Sequence, residues 1–234
     1  ELGFDVVDLN CGCPVDKVTK DGSGSGMLKN PELIGEVIAN MVSAVSIPVT
    51  VKVRAGWDDD SINASLITQI AEQAGAKAIS IHGRTRQQKY TGKANWDYIK
   101  AAKEVAKDIK VIGNGDVFDA EAGLALFNHT GCDAILVSRG TFGKPWIAED
   151  IFRLDQGLPL LHYNIKEHLL DHMNLITSYQ SDRKALLDMR RIGCWFLRSG
   201  TGTKKLRESL NKTKDLKEME QLIQDYDWSQ TSFN

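Results

Sequence analysis

The sequence predicts an α/β fold, a partial (β/α)8 TIM barrel with about five of the eight strands followed by a small all-helical domain. Three observations support this prediction. Short β-branched, apolar runs alternate with amphipathic stretches over residues 1–150, a polar side chain ends each run, and no strand-like run follows residue 164. Strands that alternate with helices are typical of parallel sheets with right-handed crossovers. We place the barrel portion at residues 1–160 and the helical domain at residues 161–234.

Five apolar runs are predicted to form the strands. They span residues 4–10, 49–53, 78–82, 111–114 and 134–138. Runs that are apolar almost throughout are typical of parallel strands buried on both faces. Because a complete barrel has eight strands, we expect the chain to be a fragment that lacks the N-terminal part of its barrel. Glu1-Leu2-Gly3, with the pattern of a helix end that leads into a strand, agrees with that expectation.

Several residues suit the ends of the predicted helices. Pro31 suits a first helical turn, Ser61 and Asp119 suit N-caps, and Gly131 suits a C-terminus. Residues 96–106 form a further amphipathic stretch. In the tail, helices are predicted at residues 165–179, 183–198, 204–211 and 216–227.

The composition is that of an ordinary globular protein. Of the 234 residues, 42% are hydrophobic and 26% are charged, which excludes a largely disordered chain, a collagen and a coiled coil. No apolar run approaches the roughly 18 residues of a membrane-spanning helix, so no membrane partner is expected. Four cysteines in a chain of this length do not make a disulfide scaffold, which predicts a cytoplasmic location. We also expect a monomer.

Positive charge is concentrated in the tail. Residues 181–214 contain ten basic and three acidic residues, a net charge of +7, whereas the whole chain carries −2. This pattern indicates either a polyanion partner or a solvated helical face, and charge alone leaves both open. The basic residues include Arg183, Lys184, Arg190, Arg191, Arg198, Lys204, Lys205 and Arg207.

Polar residues at the strand ends favour a barrel over an open doubly wound sheet. The G-x-G-x-x-G fingerprint of dinucleotide-binding sheets does not follow the first strand. In a barrel, by contrast, all carboxyl ends of the strands meet at one mouth, where the chemistry takes place. The residues at these ends are Asn10, Lys52 with Arg54, His82 with Arg84, Asn114 and Gly115 with Asp116, and Ser138 with Arg139.

The segment from Asp8 to Pro14 places two thiols, Cys11 and Cys13, directly after the first strand. A metal site is disfavoured because no second pair of ligands with suitable spacing follows. Three roles remain open for these thiols: a nucleophile with His82 as its base, a general acid, or a small buried side chain.

Two further strand ends indicate ligand chemistry. Lys52 and Arg54 alternate along a strand and therefore point to the same face. Buried cations need partners, so we expect a bound anion or electron-rich ring, or else salt bridges to Asp8 or Asp116. The glycine-containing loops around Asn114 and after Ser138 follow consecutive strands, an arrangement typical of phosphate sites in barrels.

Taken together, these motifs resemble the tRNA-dihydrouridine synthase family, and the tail is most similar to the bacterial B-type branch. The resemblance spans nearly the whole chain. It is carried by residues 8–14, 51–54, 82–85, 114–116, 138–140 and 143–146 and by Met189-Arg190-Arg191. Two residues depart from the family pattern, since Ser138 replaces a usual Gly and position 11 is a second Cys.

The resemblance implies an FMN-dependent enzyme with NADPH as reductant and tRNA as substrate, acting on the C5=C6 bond of uridine. Cys13 would be the acid that protonates C5, and Asn10, Arg54 and Arg84 would bind the uracil. The FMN contacts would be Lys52, His82, Asn114, Gly115, Asp116, Ser138 and Arg139. The tail cations from Arg183 to Arg207 would bind tRNA. No metal is implied.

Two other functions fit parts of the pattern. Another FMN barrel, such as a dihydroorotate dehydrogenase-like oxidoreductase, would share the phosphate loops without needing a basic tail. A non-catalytic RNA-binding fragment would use only the tail and would be colourless. Salt-sensitive tRNA binding and flavin absorbance distinguish these alternatives.

Overall fold

A computed structural model describes residues 3–233, which form two compact units. The first ends at Ser138 and the second begins at Arg139. The helix end expected at Glu1 and Leu2 lies outside the described residues. The second unit therefore begins at residue 139, whereas the helical domain was predicted to begin at residue 161.

The first unit contains a five-stranded sheet in which every strand is parallel to its neighbours. Each strand pairs with the next one along the chain. A doubly wound sheet reverses its strand order at a switch point, whereas a barrel adds strands in sequence. The consecutive order confirms the prediction of a partial barrel. The strands are β1 (Val7–Cys11), β2 (Val49–Arg54), β3 (Ala78–His82), β4 (Lys110–Asn114) and β5 (Ala134–Leu136).

Helices connect these strands and cover one face of the sheet. Side chains of β2 and β3 such as Val51, Val53 and Ile79 are fully buried, as are Ile38 and Ile67 on the covering helices. Successive residues of a strand point to opposite faces of the sheet. The apolar face of each strand therefore packs against the helices, and the polar side chains lie on the other face. The helices are α1 (Asp16–Thr19), α2 (Pro31–Ala44), α3 (Ala64–Gln73), α4 (Asp97–Val105) and α5 (Ala120–Thr130), with a 3-10 helix at Gly24–Lys29.

The predicted helix ends are confirmed at α5 and wrong at α3. Asp119 accepts a hydrogen bond of 2.7 Å from the Ala122 amide, and Gly131 ends the helix with a left-handed φ of 64°. Ser61 does not cap α3, because its hydroxyl bonds to Asp58 Oδ1 and the Asn63 amide is bound by the Ala55 carbonyl. Ser61 instead ends a turn that begins at Asp58, Ile62 pairs with Gly56 in an isolated β-bridge, and α3 begins at Ala64.

The Glu72 carboxylate fixes the loop between α4 and β4. It accepts hydrogen bonds from three consecutive amides, those of Lys107, Asp108 and Ile109. These bonds, led by the one from Ile109, lower the pKa of Glu72 below its usual value. A lowered pKa means that the stabilisation is present above pH 4.5 and is lost as pH falls through the folded-state pKa.

We expect Glu72→Gln to lower the free energy of unfolding by about 1 kcal/mol at pH 7, because the half-exposed carboxylate is partly screened by solvent. The difference from the parent should shrink as urea titrations approach pH 3, since both side chains are then neutral. Glu104→Gln, at an exposed position on α4, is the control and should have no effect. An equal Glu72→Gln effect at both pH values would contradict the charge-based explanation.

The second unit is helical and has its own core. Leu169, Met189, Leu210 and Met219 are fully buried in one cluster. Pro145 lies just before the first helix of this unit, which begins at Ile147. The helices are α6 (Ile147–Asp155), α7 (Ile165–Thr177), α8 (Asp182–Phe196), α9 (Lys204–Leu210) and α10 (Leu216–Asp225).

Candidate active site

Strand register brings the predicted polar side chains onto one face of the sheet. Asn10 pairs with Lys52, and Lys52 pairs with Ser80. Two residues further along the strands, Arg54 lies beside His82 and His82 lies beside Asn114. Residues in register on parallel neighbours point to the same side. The carboxyl ends of the strands therefore present two polar rows on the face away from the helices, one from β1 to β3 and the other from β2 to β4.

The two thiols after β1 have different environments. Cys11 is the last residue of β1, is fully buried and contacts Met27 Sδ at 3.6 Å. Burial raises its pKa to about 12, and the charge of Asp8 acts in the same direction. Cys13 is partly exposed on the following loop, directly before Pro14. Cys13 is therefore the thiol that can reach a bound molecule, and Cys11 has the environment of a packed core residue.

Ser25, a residue that the sequence analysis missed, holds the loop that carries Cys13. Both its hydroxyl and its amide donate to the Cys13 carbonyl, at 2.8 and 3.1 Å. A Cβ added to the neighbouring Gly24 would lie 3.1 Å from the Cys13 carbonyl, and Gly24 has a φ of 56°. The signal was the glycine and serine run over residues 22–26, which permits this close approach of two loops.

Lys52 carries a half-buried ammonium group that has few polar partners in the protein. Its Nζ donates one long hydrogen bond of 3.4 Å, to Asn114 Oδ1, and no described carboxylate lies within ion-pair distance. Burial lowers the pKa of Lys52, the nearby charge of Arg54 adds to that effect and Asp8 opposes it. A buried cation without a charged partner favours an anionic or electron-rich ligand at this position.

Asn10 and Gly12 border the same space as Lys52. Asn10 Oδ1 accepts a hydrogen bond of 3.0 Å from the Gly12 amide, which shapes the loop after β1. A Cβ added at Gly12 would lie 3.9 Å from Lys52 Nζ and 3.8 Å from Asn10 Oδ1. The absence of a side chain at Gly12 therefore leaves room beside the ammonium.

His82 is buried and neutral at physiological pH. Burial lowers its pKa to about 3, and the charges of Arg54, Lys52 and Arg84 add to this effect. Its Nε2 lies 3.4 Å from Arg84 Nη1. Because a guanidinium can only donate, Nε2 accepts and the ring proton is on Nδ1. The ring can therefore donate one hydrogen bond from Nδ1 to a bound molecule.

Arg84 connects the loops after β3 and β4. Its guanidinium donates to the carbonyls of Thr91 and Gly92 and forms a salt bridge of 2.7 Å with Asp116. Asp116 also accepts from the Ala94 amide, and its φ of 57° is in the left-handed region. This network anchors the predicted phosphate loop. The Arg84 N–H groups that form it are hydrogen-bonded to the protein and not to a ligand.

Arg54 has a similar connecting role. It is almost fully buried, and it donates hydrogen bonds of 2.8 to 2.9 Å to the carbonyls of Gly12, Thr85 and Lys89. Gly12 separates the two thiols, whereas the other two carbonyls belong to the loop after β3. Arg54 therefore fixes the loop of Cys13 relative to the neighbouring strand end.

Asn114 joins the ends of β4 and β5. Its side-chain amide donates 2.7 Å to the Leu136 carbonyl while its oxygen accepts from Lys52. A Cβ on Gly115 would lie 2.7 Å from Ala94 Cβ, so only glycine fits there. Ser138 and Arg139 follow β5 and are exposed.

Most of the tail cations predicted to bind tRNA lie on the surface of the second unit. Arg190 and Arg207 are half-buried, and their Nε atoms have no hydrogen-bond partner among the described residues. The exposed members are Arg183, Lys184, Arg191, Arg198, Lys204 and Lys205.

The family profile of the dihydrouridine synthases (Dus) matches residues 1–231. The chain belongs to the dihydrouridine synthase family. This confirms the resemblance on which the sequence analysis relied. No group of three or more His, Cys, Asp or Glu residues in the described part of the chain could hold a metal ion, and no described helix is long and apolar enough to cross a membrane.

Curated relatives support this family assignment. The chain is 37% identical to a probable tRNA-dihydrouridine synthase 1 of Synechocystis, over 94% of this chain and 63% of that protein. It is 36% identical to tRNA-dihydrouridine synthase B of Pseudomonas syringae and 34% identical to the B protein of Yersinia pestis, over 92% and 96% of this chain and 65% and 71% of those proteins. The chain therefore spans about two thirds of the length of these synthases. Several relatives carry the B designation, which is the branch that the tail predicted.

Proposed function

We propose that this chain takes part in the flavin-dependent reduction of the C5=C6 bond of uridines in tRNA, giving 5,6-dihydrouridine. The observation that carries the proposal is the environment of the loop after β1. The partly exposed Cys13 follows Gly12, whose carbonyl is held by Arg54 and whose Cα borders the half-buried Lys52 ammonium. In a member of the dihydrouridine synthase family, this combination suits the binding of a flavin beside a pyrimidine, with Cys13 as the proton donor.

The residues at the strand ends fit FMN. Lys52 supplies a buried positive charge without a carboxylate partner, and His82 supplies an Nδ1–H donor. Asn114, Gly115 and Asp116, together with Ser138 and Arg139, would hold the ribityl chain and phosphate. When bound and reduced by NADPH, FMN would supply hydride for uridine C6.

Cys13 would supply the proton. Uracil is poorly electrophilic, so addition of hydride at C6 requires prompt protonation at C5. The S–H bond of Cys13 breaks, its proton forms the C–H bond at C5, and the resulting thiolate regains a proton from solvent. A general acid must carry its proton before the reaction, and the S–H group of Cys13 would be that proton source.

The remaining site residues would orient the uracil. Asn10 is exposed at the end of β1, next to the space beside Gly12 and Lys52. Arg54 would contact the uracil through Nη2, since its Nε and Nη1 bind backbone carbonyls. For Arg84 we now propose a positioning role, because its donors are engaged by Thr91, Gly92 and Asp116.

The tail would bind tRNA through its positive charge. A uridine inside folded tRNA reaches a flavin only after it leaves its stack, which costs a few kcal/mol. Phosphate contacts by Arg183, Lys184, Arg190, Arg191, Arg198, Lys204, Lys205 and Arg207 would offset that cost without reading sequence. A tRNA substrate agrees with the cytoplasmic location expected from the cysteines.

Flavin binding by the purified chain tests the cofactor part of the proposal. We expect added FMN to be retained on gel filtration with its visible absorbance, and Lys52→Met to weaken FMN binding, since the buried positive charge is lost. Lys100→Met, at an exposed position on α4, is the matched control and should bind FMN as the parent does. Equal FMN affinity of the parent and Lys52→Met would refute the assignment of Lys52.

A further inference from the structure

We propose that Phe142 in the second unit is a stacking platform for an unpaired base of tRNA, with Trp195 beneath it and Arg191 beside it. The inference rests on the proposed function, because it assigns a new contact for the same RNA. It differs from the phosphate contacts already described, since it predicts recognition of a base through its flat face.

The two rings form a rigid stack with an exposed side. The centroids of Phe142 and Trp195 are 4.1 Å apart and their planes differ by 4°. Phe142 is 48% exposed although one face rests on Trp195. Offset-stacked aromatic rings attract each other beyond the effect of the area that they bury. The exposed side of the Phe142 ring is thus available to a further flat group.

The backbone holds this stack in place. A Cβ on Gly143, the residue after Phe142, would lie 2.3 Å from the Trp195 carbonyl oxygen, and Gly143 has a φ of 76°. Only glycine permits the loop to approach the end of α8 so closely. Because the loop is fixed against α8, the orientation of the Phe142 ring is set before any ligand binds.

A cation lies next to the stack. The guanidinium carbon of Arg191 is 5.2 Å from the centroid of the Trp195 ring. The Arg191 side chain is 62% exposed, and its Nη2 bonds to Asp188 at 3.1 Å. An arginine beside stacked aromatic rings can bind the phosphate of the nucleotide whose base stacks on them.

These residues belong to one outward-facing stripe of α8. Lys184, Leu187, Arg191 and Trp195 follow each other at spacings of three or four residues, which places them on one side of a helix. The first three are exposed, whereas Ala185 and Met189 on the other side are buried. Lys184 and Arg191 are about 10 Å apart along the axis at 1.5 Å per residue.

Charge selects RNA as the occupant. The segment that contains α8 and α9 carries a net charge of +7 in a chain whose total is −2. An aromatic platform amid positive charge is the arrangement by which proteins bind single-stranded nucleic acid, since bases stack and phosphates pair with cations. Bases in a duplex are already stacked, so the platform requires an unpaired base.

Binding of unmodified tRNA transcripts to the full chain tests the platform. We expect Phe142→Leu to weaken binding about 5- to 100-fold, the effect of losing one stacked base. The dependence of affinity on salt should not change, because no phosphate contact is lost. Phe142→Trp should bind at least as tightly as the parent. Arg191→Gln, by contrast, should reduce the salt slope by about 1.

Phe152→Leu is the matched control, since Phe152 lies on α6 in the same unit and is 57% exposed. It should bind tRNA as the parent does. With a short oligouridine strand and an RNA duplex as competitors, Phe142→Leu should weaken binding of the single strand only. Equal tRNA binding by Phe142→Leu and the parent would overturn the platform alone. Failure of the parent to bind tRNA would overturn both the platform and the tRNA part of the proposed function.

Discussion

Replacing Cys13 by alanine is expected to lower the rate of dihydrouridine formation about 10²- to 10⁴-fold, the contribution of a positioned general acid. The reason is that no other described thiol can reach a ligand from the loop after β1. Single-turnover reduction of tRNA, with the flavin already reduced, measures this step directly. Flavin reduction by NADPH should be unchanged, because the proton donor acts only on the pyrimidine.

Cys11→Ala is the control for this prediction. Cys11 is fully buried against Met27, so its loss should lower stability by about 1 kcal/mol through lost packing and leave the rate of tRNA reduction nearly intact. The reverse result, with turnover abolished by Cys11→Ala and retained by Cys13→Ala, would show that the acid is assigned to the wrong thiol.

Arg84→Met is expected to lower the free energy of unfolding by about 3–5 kcal/mol, the cost of removing one partner of a buried ion pair. The Arg84 side chain is 3% exposed and that of Asp116 is 21% exposed. The substitution removes the guanidinium from the Asp116 carboxylate, which keeps its bond from the Ala94 amide, and it removes the same donor from the carbonyls of Thr91 and Gly92. Urea denaturation at neutral pH measures the loss, and FMN affinity should fall with it because the phosphate loop is no longer anchored.

Arg153→Met is the matched control for Arg84→Met. Arg153 pairs with Glu149 one helical turn away on α6, and both side chains are partly exposed. Surface pairs of this kind contribute roughly 0.5 kcal/mol or less. If the two methionine variants lost similar stability, the explanation of Arg84 as a buried connection between loops would be wrong.

The sequence predicted the sheet and the general location of the site because both depend on local pattern. An apolar strand with a polar residue at its carboxyl end is recognisable within a few residues of sequence, and the strand order follows from the barrel. The roles of Arg54 and Arg84 could not be read in this way. Their partners are backbone carbonyls on loops, and the fold decides which carbonyls come within reach.

Contacts between distant segments also could not be predicted from the sequence. Phe142 and Trp195 are 53 positions apart, and no local spacing connects them. Ser61 failed as a predicted cap for a related reason. The Ala55 carbonyl, six positions upstream, binds the amides at the start of α3, so tertiary contact decided the helix end.

The proposed function requires that this chain add hydrogen to uridine in tRNA with the proton from Cys13. The most direct measurement is mass analysis of nucleosides from dihydrouridine-free tRNA after incubation with the chain, FMN and NADPH, beside a reaction with Cys13→Ala. We predict uridines heavier by two hydrogens with the parent chain and none above background with the variant. An unchanged uridine pool with the flavin-loaded parent, or equal reduction by the variant, would contradict the proposed function.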